Sequence, residues 1–292
     1  MENAYRIAAL SVKQRFAEHQ PEYLEVLKQI RKGQVVVFSG DYDQAEKVLE
    51  VLGIPAEVNP DKSGLMNANI AFVNCSGKYS GVLLNNIEAF VRKGGWLVSS
   101  DWALDKILET KFEGMVRWNK NTTGTEIISI EPTMDSLWSD IVVLGADPQW
   151  RLWGSHPIEV IDHEKVKIEA ASHDLLAKYD APVVAVRFDW EAGHVFHAIG
   201  HFWAKNSHTP TVRHTGPSRD FLKAGMKLSV DGIARVASRA KFDLDEVNFA
   251  NVQSAATATE LVAQLCVLAT KDRVKLQETM GLLEVVKEWM AS

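Results

Sequence analysis

Residues 94–104 read GGWLVSSDWAL, and this stretch decides the fold class. The glycine pair, the apolar run Trp96–Val98 and the small polar residues after it predict a buried strand that ends in a sharp turn into a helix. In many α/β enzymes the catalytic nucleophile sits at such a turn. The candidates here are Ser99, Ser100 and Asp101, so the first question is whether this turn forms a working active site.

Two upstream stretches repeat the pattern of a buried run followed by small polar residues. They are QVVVFSGDYD (residues 34–43) and ANIAFVNCSG (residues 68–77). Amphipathic stretches with a glycine at the end alternate with these runs, which predicts a mostly parallel sheet with helices on both faces. Ligands bind such sheets at the carboxyl ends of the strands. We therefore expect a binding crevice that includes Asp41, Cys75 and Ser76.

The chain is predicted to contain three segments. They are an N-terminal helical segment (residues 1–33), an α/β domain (residues 34–216) and a helical C-terminal extension (residues 217–292). The α/β domain carries a β-rich insertion at about residues 117–180, where short runs such as DIVVLG (residues 140–145) are typical of strands. AVRFDW and HVFHAIGH follow as the two strands of a hairpin.

Two stretches resemble a known group of proteins. FVRKGGWLVSSDWAL (residues 90–104) is similar to the helix, glycine pair, strand and nucleophile turn of the class I glutamine amidotransferase-like superfamily. APVVAVRFDWEAGHVFHAIGHFW (residues 181–203) is similar to its late hairpin, and the trehalose-utilisation-type branch resembles the chain most. The resemblance covers residues 34–205 and implies a three-layer α/β sandwich of the flavodoxin-like type.

The catalytic residues of that superfamily do not carry over. The nucleophilic cysteine corresponds to Asp101 and the histidine to His201, but the acid two residues later is replaced by Trp203. Amide hydrolysis through a thioester needs a thiolate, a base and an acid that orients the base. The glycine after the nucleophile is also missing, because Trp102 and Ala103 follow Asp101. We expect no glutaminase activity from this set.

Two other side chains could replace the lost nucleophile. Cys75 ends a neighbouring strand and could point into the same crevice, although a lone cysteine there is more often a small buried thiol. Ser100 could pair with His201 as nucleophile and base, although serines at strand ends commonly cap the backbone instead.

The histidines between residues 194 and 201 suggest a metal site. Residues four apart on a strand share a side, so His197 and His201 could converge while His194 points away. Together with Asp101 they would form a two-histidine, one-carboxylate set for a divalent metal. The alternative is that one histidine packs under the sheet, since no helical HExxH spacing supports the metal.

The aromatic stretch DPQWRLWGSHP (residues 147–157) is predicted to be a loop. Such a surface can stack a sugar, a base or a peptide side chain, and it can equally serve as a hydrophobic plug. The candidate binding residues are Trp102, Trp150, Arg151 and Trp153.

Composition and charge narrow the environment and the partners. The formal charge of −6 and the pI near 5.9 argue against a nucleic-acid-binding surface. No continuous apolar stretch approaches the roughly 18 residues of a membrane span. The N-terminus lacks an apolar signal core, and two cysteines fit a reducing cytoplasm. An apolar stripe in the last helix predicts a contact with the chain's own core or with another protein. Its residues are Leu276, Met280, Leu283, Val286 and Trp289.

Two functions of different classes fit these features. The first is a non-catalytic amidotransferase-like domain that acts as a binding or scaffold subunit of a cytoplasmic assembly, with no resident cofactor. The second is a hydrolase or isomerase acting on a small polar or sugar-like substrate, with Asp101 and His201 as acid and base and room for a divalent metal.

Overall fold

The computed structural model describes residues 1–134, 136–137, 148–207 and 211–291, with side chains described as far as residue 282. Twelve strands lie in the described residues. They are β1 (Val35–Phe38), β2 (Glu57–Val58), β3 (Ile70–Val73), β4 (Trp96–Ser100), β5 (Val116–Trp118), β6 (Thr125–Ser129), β7 (Glu131–Pro132), β8 (Gln149–Trp153), β9 (Ile158–Val160), β10 (Lys167–Ala171), β11 (Val183–Trp190) and β12 (Gly193–Ala198).

Eight of these strands form one central sheet in the order β2-β1-β3-β4-β12-β11-β10-β7. The first four pairings of that order are parallel and the last three are antiparallel. The central strands are apolar and buried along their whole length, as VVVF in β1 and IAFV in β3 show, because elements cover both faces of the sheet. The prediction of a mixed α/β fold with a mostly parallel sheet is confirmed.

Two small antiparallel pairs lie in the region predicted as a β-rich insertion. β5 pairs with β9, and β6 pairs with β8. DPQWRLWGSHP is therefore not wholly a loop, since its first half forms β8 with Trp150 and Leu152 buried. The predicted strand at residues 140–145 lies outside the described residues.

Eleven α-helices occur in the described residues. They are α1 (Glu2–His19), α2 (Pro21–Gln29), α3 (Ala45–Leu52), α4 (Lys62–Asn67), α5 (Gly81–Arg92), α6 (Glu109–Lys111), α7 (His173–Tyr179), α8 (Val212–Thr215), α9 (Ser218–Ala224), α10 (Val230–Ala240) and α11 (Phe249–Ala291). A π-helical turn at Leu104–Leu108 follows β4, and a 3₁₀ turn at Leu244–Glu246 precedes α11.

The first and last helices pack against each other. α1 contacts α10 and the long helix α11. Arg15 of α1 forms an ion pair with Glu260 of α11, and both side chains are buried. Tyr5 ties α1 to the chain after β12, because its hydroxyl donates to the Phe202 carbonyl at 2.8 Å and accepts from the Ala204 amide at 2.6 Å. The N-terminal helical segment and the C-terminal extension therefore pack against the α/β domain.

The first part of α11 is buried in the core of the protein, whereas side chains in its later part are exposed. Within the described residues, Phe249–Leu282 is the one helix whose length and composition would allow it to cross a membrane, and 94% of its apolar window is buried inside the protein. Leu276 still packs close to Gly94, whereas Met280 and Leu282 are exposed. Of the predicted apolar stripe, the side chains of Leu283, Val286 and Trp289 lie outside the described residues.

Candidate functional site

Four neighbouring parallel strands each deliver one titratable side chain to the same edge of the sheet. β1, β3, β4 and β12 are adjacent in the sheet order. Asp43, Cys75, Asp101 and His201 follow them in turn, each within five residues of the strand end. The carboxyl ends of parallel strands meet at one edge, so these four residues converge although they are far apart in sequence. We call them the edge cluster.

Asp101 occupies a sharp turn directly after β4. Its φ is +50°, in the left-handed region where a non-glycine residue is uncommon. Its amide donates to the Ala198 carbonyl at the end of β12 (3.0 Å), and its carbonyl accepts from the Leu104 amide (3.0 Å). A backbone of this kind costs about 1–3 kcal/mol and persists because its surroundings fix it. The turn predicted from residues 94–104 is therefore present, with Asp101 at its strained position.

Hydrogen bonds hold both carboxylate oxygens of Asp101. Oδ2 accepts from the Ser155 hydroxyl at 2.9 Å, and Oδ1 accepts from the His156 amide at 3.0 Å. Asp101 is fully buried, and this burial raises its pKa to about 7. The hydrogen bonds from His156 and Ser155 oppose that rise, while the nearby Asp43 carboxylate adds to it. Charged and protonated forms of Asp101 thus coexist near neutral pH.

His201 lies beside Asp101, with 3.4 Å between its Nε2 and Oδ2 of the carboxylate. The ring is 2% exposed, and within the described part of the chain neither ring nitrogen has a hydrogen-bond partner. Burial is the main cause that lowers the pKa of His201, so the ring is neutral at pH 7. His201 lies three residues beyond β12 and not on it, because Gly200 turns the chain at φ +76°. A β-carbon at Gly200 would come within 2.2 Å of the Arg151 carbonyl oxygen.

Cys75 completes a group of three possible metal ligands. Its Sγ and one ligand atom each of Asp101 and His201 all lie within 4.8 Å of one another. Burial raises the pKa of the Cys75 thiol, and the Asp101 and Asp43 carboxylates raise it further. The cysteine is therefore a protonated thiol at neutral pH, which is the form of low nucleophilicity.

Ser100 and Ser76 have backbone roles. The Ser100 hydroxyl accepts from the Cys75 amide at 3.1 Å, which joins the ends of β3 and β4. The predicted pairing of Ser100 with His201 is absent, since no hydrogen bond of the His201 ring is found among the described residues. Ser76 is half-buried and its carbonyl accepts from the Asp41 amide at 3.4 Å.

The acid at the end of β1 is Asp43, not the predicted Asp41. Asp41 is exposed, whereas Asp43 is fully buried. Oδ1 of Asp43 accepts from the amides of Gln44 (2.8 Å) and Trp203 (3.1 Å), and Oδ2 has no hydrogen-bond partner among the described residues.

His197 does not belong to the edge cluster. It lies on β12, and its Nδ1 forms a 2.9 Å hydrogen bond with the Ser99 hydroxyl. Complete burial lowers the pKa of His197 to about 3. The predicted metal set of His197, His201 and Asp101 therefore changes, and Cys75 replaces His197 among the residues brought together.

Aromatic side chains enclose the edge cluster. The ring of Trp153 lies edge-on to His201 at 6.1 Å, and Tyr42 lies edge-on to Trp153 at 5.3 Å. Trp102 stacks on His156 at 5.0 Å and donates from Nε1 to the Gly154 carbonyl. Trp203 is stacked on Tyr5 at 4.0 Å, so it packs against α1.

Of the four residues predicted to form an aromatic binding surface, two are buried and two are partly exposed. Trp150 is buried and donates from Nε1 to the Ile199 carbonyl, so it acts as a plug. Arg151 is also buried, with its guanidinium carbon 5.2 Å from the centre of the Trp153 ring. Its carbonyl accepts from the His201 amide at 3.2 Å, which fixes the backbone of the histidine. Trp153, only partly buried, and Trp102 remain as candidate contacts for a ligand.

Comparison with known proteins yields similarity only to solved structures. No protein-family model and no curated protein matches the chain. The cold-adapted β-galactosidase from Rahnella sp. R3 is 12% identical, with a TM-score of 0.40 over 58% of this chain and 28% of that chain. The β-galactosidase from Bacillus circulans sp. alkalophilus is 13% identical, with a TM-score of 0.40 over 61% of this chain and 30% of that chain.

A ThuA-like protein from Bacteroides uniformis is also a structural neighbour. It is 13% identical, with a TM-score of 0.40 over 57% of this chain and 81% of that chain. This chain spans less than a third of the length of the two β-galactosidases. At these identities and scores the neighbours establish no family and no activity for this protein.

Proposed function

We propose that this chain is a non-catalytic amidotransferase-like domain, a three-layer α/β sandwich, that serves as a binding or scaffold subunit of a cytoplasmic assembly. One observation carries the proposal. The position from which the superfamily's nucleophile would attack is occupied by Asp101, whose two oxygens accept hydrogen bonds from Ser155 and His156. A carboxylate held in this way is a poor acceptor for an acyl group.

The surroundings of Asp101 support the same proposal. Trp203 contributes only its amide to Asp43, so no acid at that position orients His201. The Cys75 thiol stays protonated, and Ser100 is engaged with the backbone of Cys75. The edge cluster is buried beneath aromatic rings, whereas glutamine hydrolysis needs an entry for substrate and water.

The binding role rests on the later part of α11. The apolar stripe begins at Leu276, which packs near Gly94, and continues along the helix to Met280, which is 56% exposed. Exposed charged and polar residues, among them Lys275 and Glu278, accompany it. An amphipathic helix whose apolar face runs on beyond its own core is suited to pair with a helix of another protein.

The test combines an activity assay with capture of the partner. Full-length tagged protein is incubated with glutamine, and no ammonia release above the background is expected. The same protein is used to capture partners from its source organism, with Met280→Asp as the variant and Val230→Asp as the control. Val230 is 82% exposed on α10 and lies outside the apolar stripe.

The proposal predicts one partner in fixed stoichiometry that is lost with Met280→Asp and retained with Val230→Asp. Release of ammonia that depends on Asp101 would overturn the non-catalytic part. A chain that stays monomeric and captures no partner, or one that loses its partner equally in both variants, would overturn the binding role.

A second candidate function is favoured by the 3.4 Å distance between Asp101 and His201. A neutral imidazole beside a carboxyl group with a pKa of about 7 is a competent base and acid pair for a hydrolase or isomerase acting on a small polar or sugar-like substrate. Such an enzyme must move Trp153 and Tyr42 to admit its substrate. Turnover that Asp101→Asn and His201→Gln both abolish would favour this candidate over the scaffold.

A further inference from the structure

We infer that Cys75, Asp101 and His201 form a binding site for a borderline-soft divalent cation of the Zn²⁺ type. The inference does not depend on the proposed scaffold role, because it rests on the edge cluster alone. The three ligand atoms lie within 4.8 Å of one another. Ligand atoms around a four-coordinate zinc ion are separated by roughly 3–4 Å, since each bond is about 2.0–2.3 Å long.

The donor set determines the class of cation. A thiolate sulfur, an imidazole nitrogen and a carboxylate oxygen are the three ligand types that Zn²⁺ takes in proteins. Ca²⁺ and Mg²⁺ prefer sites made of oxygen atoms, so a set with sulfur and nitrogen disfavours them. The ion replaces the hydrogen of the Cys75 thiol, and that proton leaves to solvent. Molecules in which Asp101 is protonated release its proton as well, since both groups bind the ion in their charged forms.

Three buried polar atoms around the cluster have no hydrogen-bond partner among the described residues. Both ring nitrogens of His201 are buried and lack hydrogen-bond partners in the described residues, and so does Oδ2 of Asp43. A buried polar group without a partner costs about 1–3 kcal/mol. A cation bound to His201 would use one of these nitrogens. The Cys75 thiolate and the Asp101 carboxylate would balance the two positive charges of the ion, and the nearby Asp43 carboxylate would add a third negative charge.

His197 provides an internal contrast. It lies on the same segment and is equally buried, but its Nδ1 is hydrogen-bonded to Ser99, so among the described residues only its Nε2 lacks a hydrogen-bond partner. Ser155 and the His156 amide in turn hold the carboxylate of Asp101, as hydrogen-bonding groups around metal ligands commonly do. The cluster therefore has three donor atoms and the supporting contacts of a metal site, with the fourth coordination position of the ion left to water.

The experiment measures metal content and ligand identity in the full chain. Protein is purified from cells grown with added zinc, and its metal content is measured by elemental analysis. Protein stripped of metal and unfolded is then refolded with Co²⁺, which reports a bound thiolate through a sulfur-to-cobalt charge-transfer band. The variants are Cys75→Ser, His201→Gln and Asp101→Asn, and the control is Cys266→Ser, the other buried cysteine.

We expect one equivalent of zinc in the wild-type protein and in Cys266→Ser, together with the charge-transfer band. Cys75→Ser should lose the band, and each ligand variant should bind zinc more than about 100-fold more weakly, since even residues that support a ligand commonly contribute 10–100-fold. Circular dichroism of the metal-free variants shows whether they fold.

Three results would overturn the inference. They are wild-type protein without stoichiometric zinc and without the cobalt band, a folded Cys75→Ser variant that keeps the band, and loss of the band in a folded Cys266→Ser variant.

Discussion

Two buried pairs of titratable residues, Arg15–Glu260 and His201–Asp101, differ in the charge of the basic partner. Each joins segments distant in sequence, and each is almost completely shielded from solvent. Arg15 is always charged and lies against the carboxylate of Glu260, so the pair joins α1 to α11. His201 is neutral and leaves ring nitrogens without hydrogen bonds in the described residues. Burial therefore accompanies an ion pair between two helices in one place and ring nitrogens without hydrogen bonds among the described residues in the other.

The largest effect is expected when the Arg15–Glu260 pair is broken from one side. Glu260→Ala leaves a guanidinium buried without its counter-charge, which costs about 3–5 kcal/mol. The free energy of unfolding, measured by urea denaturation, should fall by that amount. Replacing both residues by apolar ones (Arg15→Met with Glu260→Leu) should recover most of the loss. A Glu260→Ala variant within about 1 kcal/mol of wild type would show that the pair does not join the helices.

A smaller loss is expected at the backbone support of His201. Gly200→Ala places a β-carbon 2.2 Å from the Arg151 carbonyl oxygen at a φ of +76°. Strain and overpacking of this kind cost about 2–3 kcal/mol. Gly281→Ala is the control, because nothing lies within 4 Å of that position on α11 and alanine favours a helix. Equal stability of the two variants in thermal unfolding would contradict the prediction.

The burial of His197 can be tested through the pH dependence of the free energy of unfolding. Its pKa is about 3 in the folded protein and 6.5 in the ordinary case, so the unfolded chain binds a proton that the folded chain does not. Its contribution to stability is complete above pH 6.5 and is lost as the pH falls towards 3. The slope is about 1.4 kcal/mol per pH unit, or about 2 kcal/mol between pH 6.5 and 5.

His197→Gln should remove this part of the acid sensitivity when unfolding is measured at both pH values. His173→Gln is the matched control, because His173 is an exposed histidine on α7. An unchanged pH slope in His197→Gln would mean that His197 is not buried as a neutral ring.

The smallest effect is expected for an ion pair on the surface of α1. Nη2 of Arg6 lies 2.7 Å from Oε1 of Glu2, but the two side chains are 55% and 68% exposed. Glu2→Gln should change the free energy of unfolding by less than about 0.5 kcal/mol, because water and salt screen exposed pairs. A loss as large as that of Glu260→Ala would refute burial as the cause of the difference.

The strand ends could be predicted from the sequence, whereas the composition of the edge cluster could not. Each continuous apolar run closing in small polar residues is a strand, and Asp101 sits at the predicted turn. Asp41 and Asp43 are two residues apart in one loop, and only the fold of that loop decides which is buried. The placement of His201 depends on Gly200, which ends the regular strand before the histidine. The predicted alternation of sides therefore did not apply.

Cys75 could be proposed as a crevice residue but not as a partner of His201. That pairing depends on the sheet order, which inserts β12 next to β4 from almost one hundred residues away. For a similar reason, the sequence alone could not decide whether Trp150 and Trp153 form a binding surface or fill the core. Only the position of β8 against the chain after β12 decides that Trp150 is buried while Trp153 lies over the histidine.

The contact between α1 and α11 has a consequence for synthesis on the ribosome. The apolar side of α1 is made long before its cover, residues 249–269, which lie more than two hundred residues further along the chain. Likewise, β4 lacks its neighbour β12 until almost one hundred further residues have been made. A nascent chain therefore exposes apolar surface until these later residues have been made, and such surface is prone to aggregation.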